Sequence, residues 1–114
     1  MEMQVSDVPP SLNRVLRMHW IKRQALQQAW AWMIRIAFGH SPTVCQGKRR
    51  VTITLYHSRL FDKDNSYGAC KVIFDALKTN RLIVDDSPEW LEATVKQEKC
   101  KHKDRHTIIR VEGI

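Results

Sequence analysis

The sequence predicts one mixed α/β (α+β) domain over residues 1–114, with a small mixed sheet, one long N-terminal helix and a second helix further along the chain. Two patterns carry this prediction: apolar residues recur with helical spacing over about 16–38, and apolar and polar residues then alternate strictly over 49–57. The length of 114 residues suits a single hydrophobic core. Contents of 43% hydrophobic and 27% charged residues are typical of a folded globular protein.

The first helix is predicted from about Leu16 to Phe38, after a leader that ends at Pro9-Pro10-Ser11 and is expected to be extended. Apolar residues recur three or four positions apart along it, and Gly39 and Pro42 are typical of the end of a helix. The pattern therefore indicates an amphipathic helix that buries one side against the rest of the domain.

Three tryptophans lie in this predicted helix. They could serve as platforms on which nucleic-acid bases stack, but aromatic side chains commonly fill the cores of small domains. We interpret Trp20 and Trp30 as core residues. Trp32 lies off the apolar stripe and is expected at the surface.

A β-strand is predicted at Arg49–His57, after a loop at 40–48. Val51, Ile53 and Leu55 would face one side of the sheet, and the threonines and Tyr56 between them the other. This alternation indicates a strand with one buried face.

The second helix is predicted at Ser66–Thr79, with Asn65 as its N-cap. Its core side is expected to consist of Ala69, Val72, Ile73, Ala76 and Leu77. Further along, strands are predicted at Leu82–Val84, Glu92–Gln97 and Thr107–Glu112, and a basic link at 99–105 joins the last two. The predicted order is therefore helix, strand, helix and three strands.

The charge of the chain favours an acidic partner. Lys and Arg number 19 against 12 Asp and Glu, a formal net charge of +7, which makes nucleic acid a better candidate than a membrane surface. No apolar run of about 18 residues predicts a membrane span, and the N-terminus lacks the features of a secretory signal. Three cysteines without metal-ligand spacing, Cys45, Cys70 and Cys100, fit reduced thiols in a cytoplasm, and we interpret Cys70 as a buried thiol.

The most informative motif is Asp62-Lys63-Asp64-Asn65, which is followed by Lys71 and then by Asp85-Asp86 at the end of a predicted strand. In an extended segment, Asp62 and Asp64 would point the same way. Two carboxylates about 4 Å apart repel by about 4 kcal/mol at an effective dielectric constant near 20, so such a cluster suggests a cation or a shared proton. Carboxylate oxygens suit Mg²⁺ or Mn²⁺, and Lys71 could hold a phosphate.

Each part of this pattern also has an ordinary structural interpretation. Asp and Asn are common in turns and helix caps, so the first motif alone is a weak signal. Asp75, four residues after Lys71, is best interpreted as its partner in a helical salt bridge. Asp85-Asp86 before Ser87-Pro88 could be turn chemistry. The order and spacing of the parts together make the functional interpretation stronger.

Taken together, these motifs resemble the RusA family of Holliday junction resolvases, small endonucleases frequent in phages and prophages. The similarity covers nearly the whole chain. It begins with Pro9-Pro10-Ser11-Leu12-Asn13-Arg14 and continues with Asp62-Lys63-Asp64-Asn65, Lys71 and the stretch from Phe74-Asp75-Ala76-Leu77 to Leu82-Ile83-Val84-Asp85-Asp86. The segment Ser66–Cys70 departs from the pattern, being three residues longer than in the shortest family form, and Gly68 and Ala69 could absorb the difference as a helical turn or a bulge.

The resemblance implies a RusA-like fold and a site in which Asp62, Asp64 and Asp86 bind Mg²⁺, or Mn²⁺ as a substitute. It implies catalytic roles for these three carboxylates and Lys71, with Asp85 as a possible auxiliary residue. It further implies a homodimer that nicks two opposed strands of a four-way DNA junction, since two symmetric cuts need two sites related by a two-fold axis.

We therefore expect a cytoplasmic endonuclease of bacterial or phage-infected cells, in which water attacks the phosphodiester and neither a membrane nor a small-molecule cofactor takes part. The basic residues expected to contact DNA include Arg14, Arg17, Arg59 and Lys63. Two alternatives stay open. One is a nuclease for flaps, forks or other branched DNA, and the other is a junction-binding module without catalysis.

Overall fold

The computed structural model describes residues 1–39 and 47–113, and these residues form a mixed α/β fold, as predicted. Most of the loop predicted at 40–48, together with Cys45, lies outside the described residues. In chain order the elements are β1 (Glu2–Val5), α1 (Leu12–Leu16), α2 (Trp20–Phe38), β2 (Arg49–His57), α3 (Lys63–Ala69), α4 (Lys71–Thr79), β3 (Leu91–Lys99), a short 3₁₀ helix (His102–Asp104) and β4 (His106–Gly113).

The four strands form one mixed sheet in the order β1-β4-β2-β3. Strand β4 runs antiparallel to both β1 and β2, whereas β2 and β3 are parallel. Parallel neighbours need a long crossover connection, and helices α3 and α4 supply it between β2 and β3. Strand β2 has the predicted bounds and alternation, and the other two confirmed strands, β3 and β4, extend beyond their predicted ends.

The hydrophobic core lies between one face of this sheet and helices α2 and α4. Its fully buried side chains include Trp30 of α2, Leu77 of α4 and Ile53 of β2. The predicted core side of the second helix is confirmed, and Phe74 joins it. The leader was predicted to be extended, and part of it forms β1, because Met3 and Val5 bury their side chains while their backbone pairs with β4.

The predicted first helix is confirmed as α2 with its predicted end at Phe38, but it begins at Trp20, four residues later than predicted, and the short helix α1 before it was not predicted. The Nδ1 atom of His19 accepts the backbone N–H of Ile21 and caps the new helix. Trp30 is buried and Trp32 is exposed, as predicted. The prediction that Trp20 is a core residue is wrong: its side chain is 64% exposed, because the first turns of α2 extend away from the sheet and Trp20–Ala25 are all exposed.

The strand predicted at Leu82–Val84 is absent from the described sheet. Helix α4 ends instead in a Schellman motif, in which the N–H groups of Arg81 and Leu82 donate to the carbonyls of Lys78 and Leu77. Arg81 adopts a left-handed conformation with φ of 62° to make this turn. Leu82 and Ile83 are buried beneath it. Their apolar character therefore reflects burial in a turn, and Asp85-Asp86 does not follow a strand.

The second predicted helix is also divided, at Cys70. The N–H of Cys70 donates to the carbonyls of both Ser66 and Tyr67, which closes the last turn of α3 before α4 begins at Lys71. The segment at 66–70 is thus mainly helical, since its first four residues belong to α3. Within the described ranges, every helix is too short or too polar to cross a membrane.

Candidate active site

Asp62 begins helix α3 as its N-cap. Its Oδ1 atom accepts the backbone N–H of Asn65 at 2.9 Å, and its Oδ2 atom accepts the side-chain N–H of Asn65 at 2.7 Å. The backbone bond and then the side-chain bond of Asn65 hold the pKa of Asp62 below its usual range. The prediction that Asn65 is the N-cap is wrong, because a carboxylate three residues earlier already satisfies its N–H.

Asn65 connects this segment to helix α1. Its Oδ1 atom accepts the backbone N–H of Asn13 at 3.1 Å. Ser11 caps α1 by accepting the N–H of Arg14, and Leu12 lies directly against Gly68 of α3. The two motifs quoted for the family resemblance, at 9–14 and 62–65, are therefore in contact although about 50 residues separate them.

Asp64 lies in the first turn of α3 and is exposed. Its side chain accepts no hydrogen bond and forms no ion pair within the described residues. It lines a cleft of about 550 Å³ between α3 and β3, together with Lys63 and Thr94. The expectation that Asp62 and Asp64 converge as in an extended segment is wrong, because the first is a cap and the second is helical.

Lys71 and Asp86 meet although 15 residues separate them: Nζ lies 3.4 Å from Oδ2. The expected salt bridge between Lys71 and Asp75 is therefore replaced by this pair. Asp85 contacts a different lysine, with Lys78 Nζ 3.1 Å from its Oδ1 atom. The hydrogen bond from Lys78 holds the pKa of Asp85 below its usual range, and the same bond raises the pKa of Lys78. Asp85 and Asp86 thus contact different lysines, and the expectation that only one of them faces the site stays a prediction.

The carboxylates are chemically suited to a hard cation, but they do not form a preassembled cluster. Within 1–39 and 47–113, no three His, Cys, Asp or Glu side chains are gathered closely enough to hold a metal ion. Mg²⁺, however, commonly takes only one or two carboxylates and completes its shell with phosphate oxygens and water. Asp62 and Asp64 fit such a role, because the first is held ionised and the second has no competing partner in the part of the chain that the structure describes.

The four basic residues expected to contact DNA are exposed, and three of them line two neighbouring clefts. Arg14 and Arg59 line one of them, and Lys63 lines the other beside Asp64. Arg17 caps the C-terminal end of α1. Arg59 and Lys63 are therefore close to the acidic segment in the chain, and Arg14 follows Asn13, which is bonded to Asn65.

Cys70 is fully buried at the junction of α3 and α4, as predicted. Burial raises the pKa of its thiol to about 12, because a thiolate is poorly solvated in apolar surroundings. A thiol in this state is unsuited to act as a nucleophile at neutral pH.

Two residues that support the site were missed in the sequence, His57 and Gln97. The side chain of Gln97 accepts the N–H of Phe61 at 2.8 Å and donates to the carbonyl of Phe61 at 2.9 Å, which positions the residue directly before Asp62. His57 bonds the same carboxamide at 2.9 Å. The sequence did contain a signal for both residues. Each is a polar residue at a position of an alternating strand where the side chain is expected to face the core.

Comparisons with protein-family models and with curated proteins found no match to this chain.

Proposed function

We propose that the protein is a Mg²⁺-dependent endodeoxyribonuclease that resolves four-way DNA junctions by paired symmetric nicks. The observation that carries the proposal is the contact between Lys71 and Asp86. It brings together an ammonium at the start of α4 and a carboxylate that follows the helix by seven residues. An exposed cation next to a carboxylate suits a reaction in which a phosphate and a metal ion are held side by side.

Asp62, Asp64 and Asp86 are the residues proposed to hold Mg²⁺, with Mn²⁺ as a substitute. When bound, the ion supplies activation of water and stabilisation of the charge that grows on the phosphate. Oxygens of the scissile phosphate and water would complete its ligand shell.

Lys71 is proposed to hold the scissile phosphate. Its side chain is 69% exposed, so it can exchange part of its contact with Asp86 for a phosphate oxygen without first leaving a buried site. Asp85 is proposed as an auxiliary residue that acts by positioning, because its carboxylate is held by Lys78.

DNA is the proposed partner because the net charge of +7 is combined with exposed arginines near the acidic segment. Each phosphate that the protein neutralises contributes a slope of about −0.9 in log affinity against log salt concentration. Binding to a junction is therefore expected to weaken steeply between low and moderate salt. A flat dependence would contradict backbone contacts.

A second copy of the chain is the proposed partner of helix α2. Ile21, Trp32 and Ile36 are all more than half exposed and lie on the side of the helix opposite Trp30 and Ile34. A helix with apolar residues on both sides normally has both sides covered. Paired nicks need two copies related by a two-fold axis, and this stripe is a surface on which they could pack. The proposed compartment is a bacterial or phage-infected cytoplasm, which suits the free thiols of Cys70 and Cys100.

One experiment tests the activity directly. A labelled four-way junction and a linear duplex of the same sequence are incubated with the protein in Mg²⁺ and in EDTA. Paired symmetric cuts in the junction alone, dependent on Mg²⁺, are expected. Equal or better cleavage of flaps or forks would make the enzyme a nuclease for other branched DNA.

Asp64→Asn tests the assigned site. It should abolish cleavage while junction binding is retained or tightened, because it removes one negative charge facing the phosphates. Asp104→Asn is a matched control, since Asp104 is an exposed carboxylate of the 3₁₀ helix outside the site, and it should cleave normally. Undiminished cleavage by the Asp64 variant would refute the assignment.

A second candidate function is a junction-binding module without catalysis. The absence of three gathered metal ligands within the described residues favours it. It predicts tight junction binding with no cutting in either Mg²⁺ or Mn²⁺.

A further inference from the structure

A cleft of about 540 Å³ lies next to the candidate active site, between the leader, helix α2 and the end of strand β2. Two segments connect it to the site. The wall formed by Ser58, Arg59 and Phe61 leads directly into Asp62. Ser11, on another wall, caps helix α1, which reaches Asn65 through the N–H of Asn13. A ligand in this cleft would therefore be a close neighbour of a phosphate at the acidic segment.

The charge of the cleft favours an anion. Arg14, Arg59 and Arg105 line it, and guanidinium groups bind phosphates through two hydrogen bonds at once. Among the described lining residues, Asp7 is the one carboxylate. Its carboxylate lies 3.6 Å from Arg105 and also accepts the N–H of Val8. It therefore pairs with Arg105 and leaves Arg14 and Arg59 available to a ligand.

His57 forms part of the cleft wall and is only 6% exposed. Its Nε2 atom lies 2.9 Å from Oε1 of Gln97. The carboxamide of Gln97 has a defined orientation, because its oxygen accepts the N–H of Phe61 while its nitrogen donates to the carbonyl of Phe61. An amide oxygen can only accept, so the proton of His57 must sit on Nε2.

The other ring nitrogen of His57, Nδ1, has no hydrogen-bond partner among the described residues. No described side-chain nitrogen or oxygen is both fully buried and unpaired. Nδ1 is therefore accessible, and since His57 lines the cleft, we infer that this atom faces it. On this inference, a side chain that is more than nine-tenths buried has one ring nitrogen available to a ligand in the cavity.

The remaining wall is apolar. The ring of Phe61 packs edge-on against His57, with centroids 4.6 Å apart, and Pro9, Met18 and Leu26 contribute aliphatic surface. The volume lies within the range of about 300–1,000 Å³ that is usual for small-ligand sites. Arginines, an apolar wall with an aromatic ring, and a single polar atom together match a phosphate joined to a flat base.

We propose that this cleft binds one nucleotide of an unpaired DNA strand, with its phosphate on Arg14 and Arg59 and a polar edge of its base at His57 Nδ1. In naming DNA as the source of the nucleotide, this inference rests on the proposed function. The strand next to a branch point is where a duplex most readily yields an unpaired base.

Binding is measured on the full chain without a metal ion, by NMR titration with deoxythymidine 5′-monophosphate (dTMP) and, separately, with inorganic phosphate. We expect dTMP to shift the His57 Nδ1 resonance saturably and to bind more tightly than phosphate. His57→Gln keeps a donor near the Nε2 position, and so the bond to Gln97, but removes Nδ1. It should weaken dTMP binding about tenfold, the effect of one lost hydrogen bond.

Two further variants control this test. Arg59→Gln alters an exposed side chain, so the fold is retained, and it should weaken both dTMP and phosphate. Arg110→Gln removes an equal charge from the exposed face of the sheet and should leave both affinities unchanged. Equal weakening by Arg59→Gln and Arg110→Gln, or unchanged dTMP affinity in folded His57→Gln, would overturn the assignment of the cleft.

The source of the nucleotide is tested with two duplexes that differ by one unpaired thymidine. Tighter binding of the duplex with the unpaired base, lost in His57→Gln, supports DNA as the source, and equal binding of both overturns it. These readouts are independent of cleavage. If dTMP binds in the cleft but no junction is cut, the proposed function fails and the cleft assignment stands. If junctions are cut but dTMP does not bind, the cleft assignment fails and the proposed function stands.

Discussion

Lys71 Nζ lies 3.4 Å from Asp86 Oδ2, although helix α4 and the turn that follows it separate the two residues along the chain. The two side chains are 69% and 34% exposed. An ion pair with this much solvent exposure adds only about 0–1 kcal/mol to stability. We therefore expect the pair to be more important for activity than for folding.

Lys71→Ala is expected to lower junction cleavage by about 10²–10³-fold, the usual effect of removing one group that stabilises charge in a transition state. Its free energy of unfolding should change by less than about 1 kcal/mol. Single-turnover cleavage and urea unfolding of the same preparations measure the two quantities.

Lys78→Ala is the matched control for Lys71→Ala. It removes a comparably exposed ion pair from the same helix, that of Lys78 with Asp85, and should reduce cleavage far less. Similar losses in the two variants would show that α4 needs its surface charges in general and would remove the special role of Lys71.

Asp62→Asn is expected to make thermal stability less dependent on acid pH. The folded state lowers the pKa of Asp62, so the contribution of its carboxylate is present above the ordinary carboxyl pKa near 4 and is lost as the pH falls through the lower folded value. Asn also caps helices but does not titrate.

The measurement is the melting temperature between pH 2 and pH 6. The difference in melting temperature between wild type and Asp62→Asn should shrink as the pH falls, and Asp104→Asn should follow the wild-type curve. If the Asp62 variant follows wild type over the whole range, the cap does not depend on its charge.

Gly68→Ala is expected to destabilise the fold by about 1–3 kcal/mol, the usual cost of overpacking. A Cβ at this position would lie 2.6, 2.7 and 2.8 Å from Cδ2, Cβ and Cγ of Leu12, so α1 and α3 would have to separate. Gly113→Ala is the control, because its Cβ would meet only Arg49 at an ordinary 3.5 Å. Urea unfolding compares the two, and equal stabilities would show that α1 shifts without cost.

Trp32→Glu is expected to convert the proposed dimer into a monomer with an unchanged fold, because Trp32 is 62% exposed on the outer side of α2. Sedimentation at several protein concentrations measures the change, and circular dichroism confirms the fold. Leu60→Glu, which alters an exposed apolar side chain outside α2, should leave the dimer intact. A dimer that persists in the Trp32 variant would place the interface elsewhere.

Local patterns were enough to determine much of the fold. Strand β2 was predicted with its observed bounds, and four of the five buried residues of α4 were predicted, the exception being Phe74. Both follow from periodicities of 2.0 and 3.6 residues, which depend only on which side chains must leave water. The candidate site residues were identified from the chemistry of Asp and Lys and from the spacing of the motifs, and their separate roles were implied by the family resemblance.

Tertiary structure decided how these residues are arranged. Trp20 and Trp30 have the same apolar character, but one is exposed because its turn of α2 extends beyond the sheet. Leu82 and Ile83 are buried in a turn because the Schellman end of α4 uses the backbone groups that a strand would need. Lys71 meets Asp86, His57 lines a cleft and bonds Gln97, and Gln97 holds the loop before Asp62. Such contacts join residues up to 40 positions apart, and their geometry depends on how whole elements pack, which no local periodicity specifies.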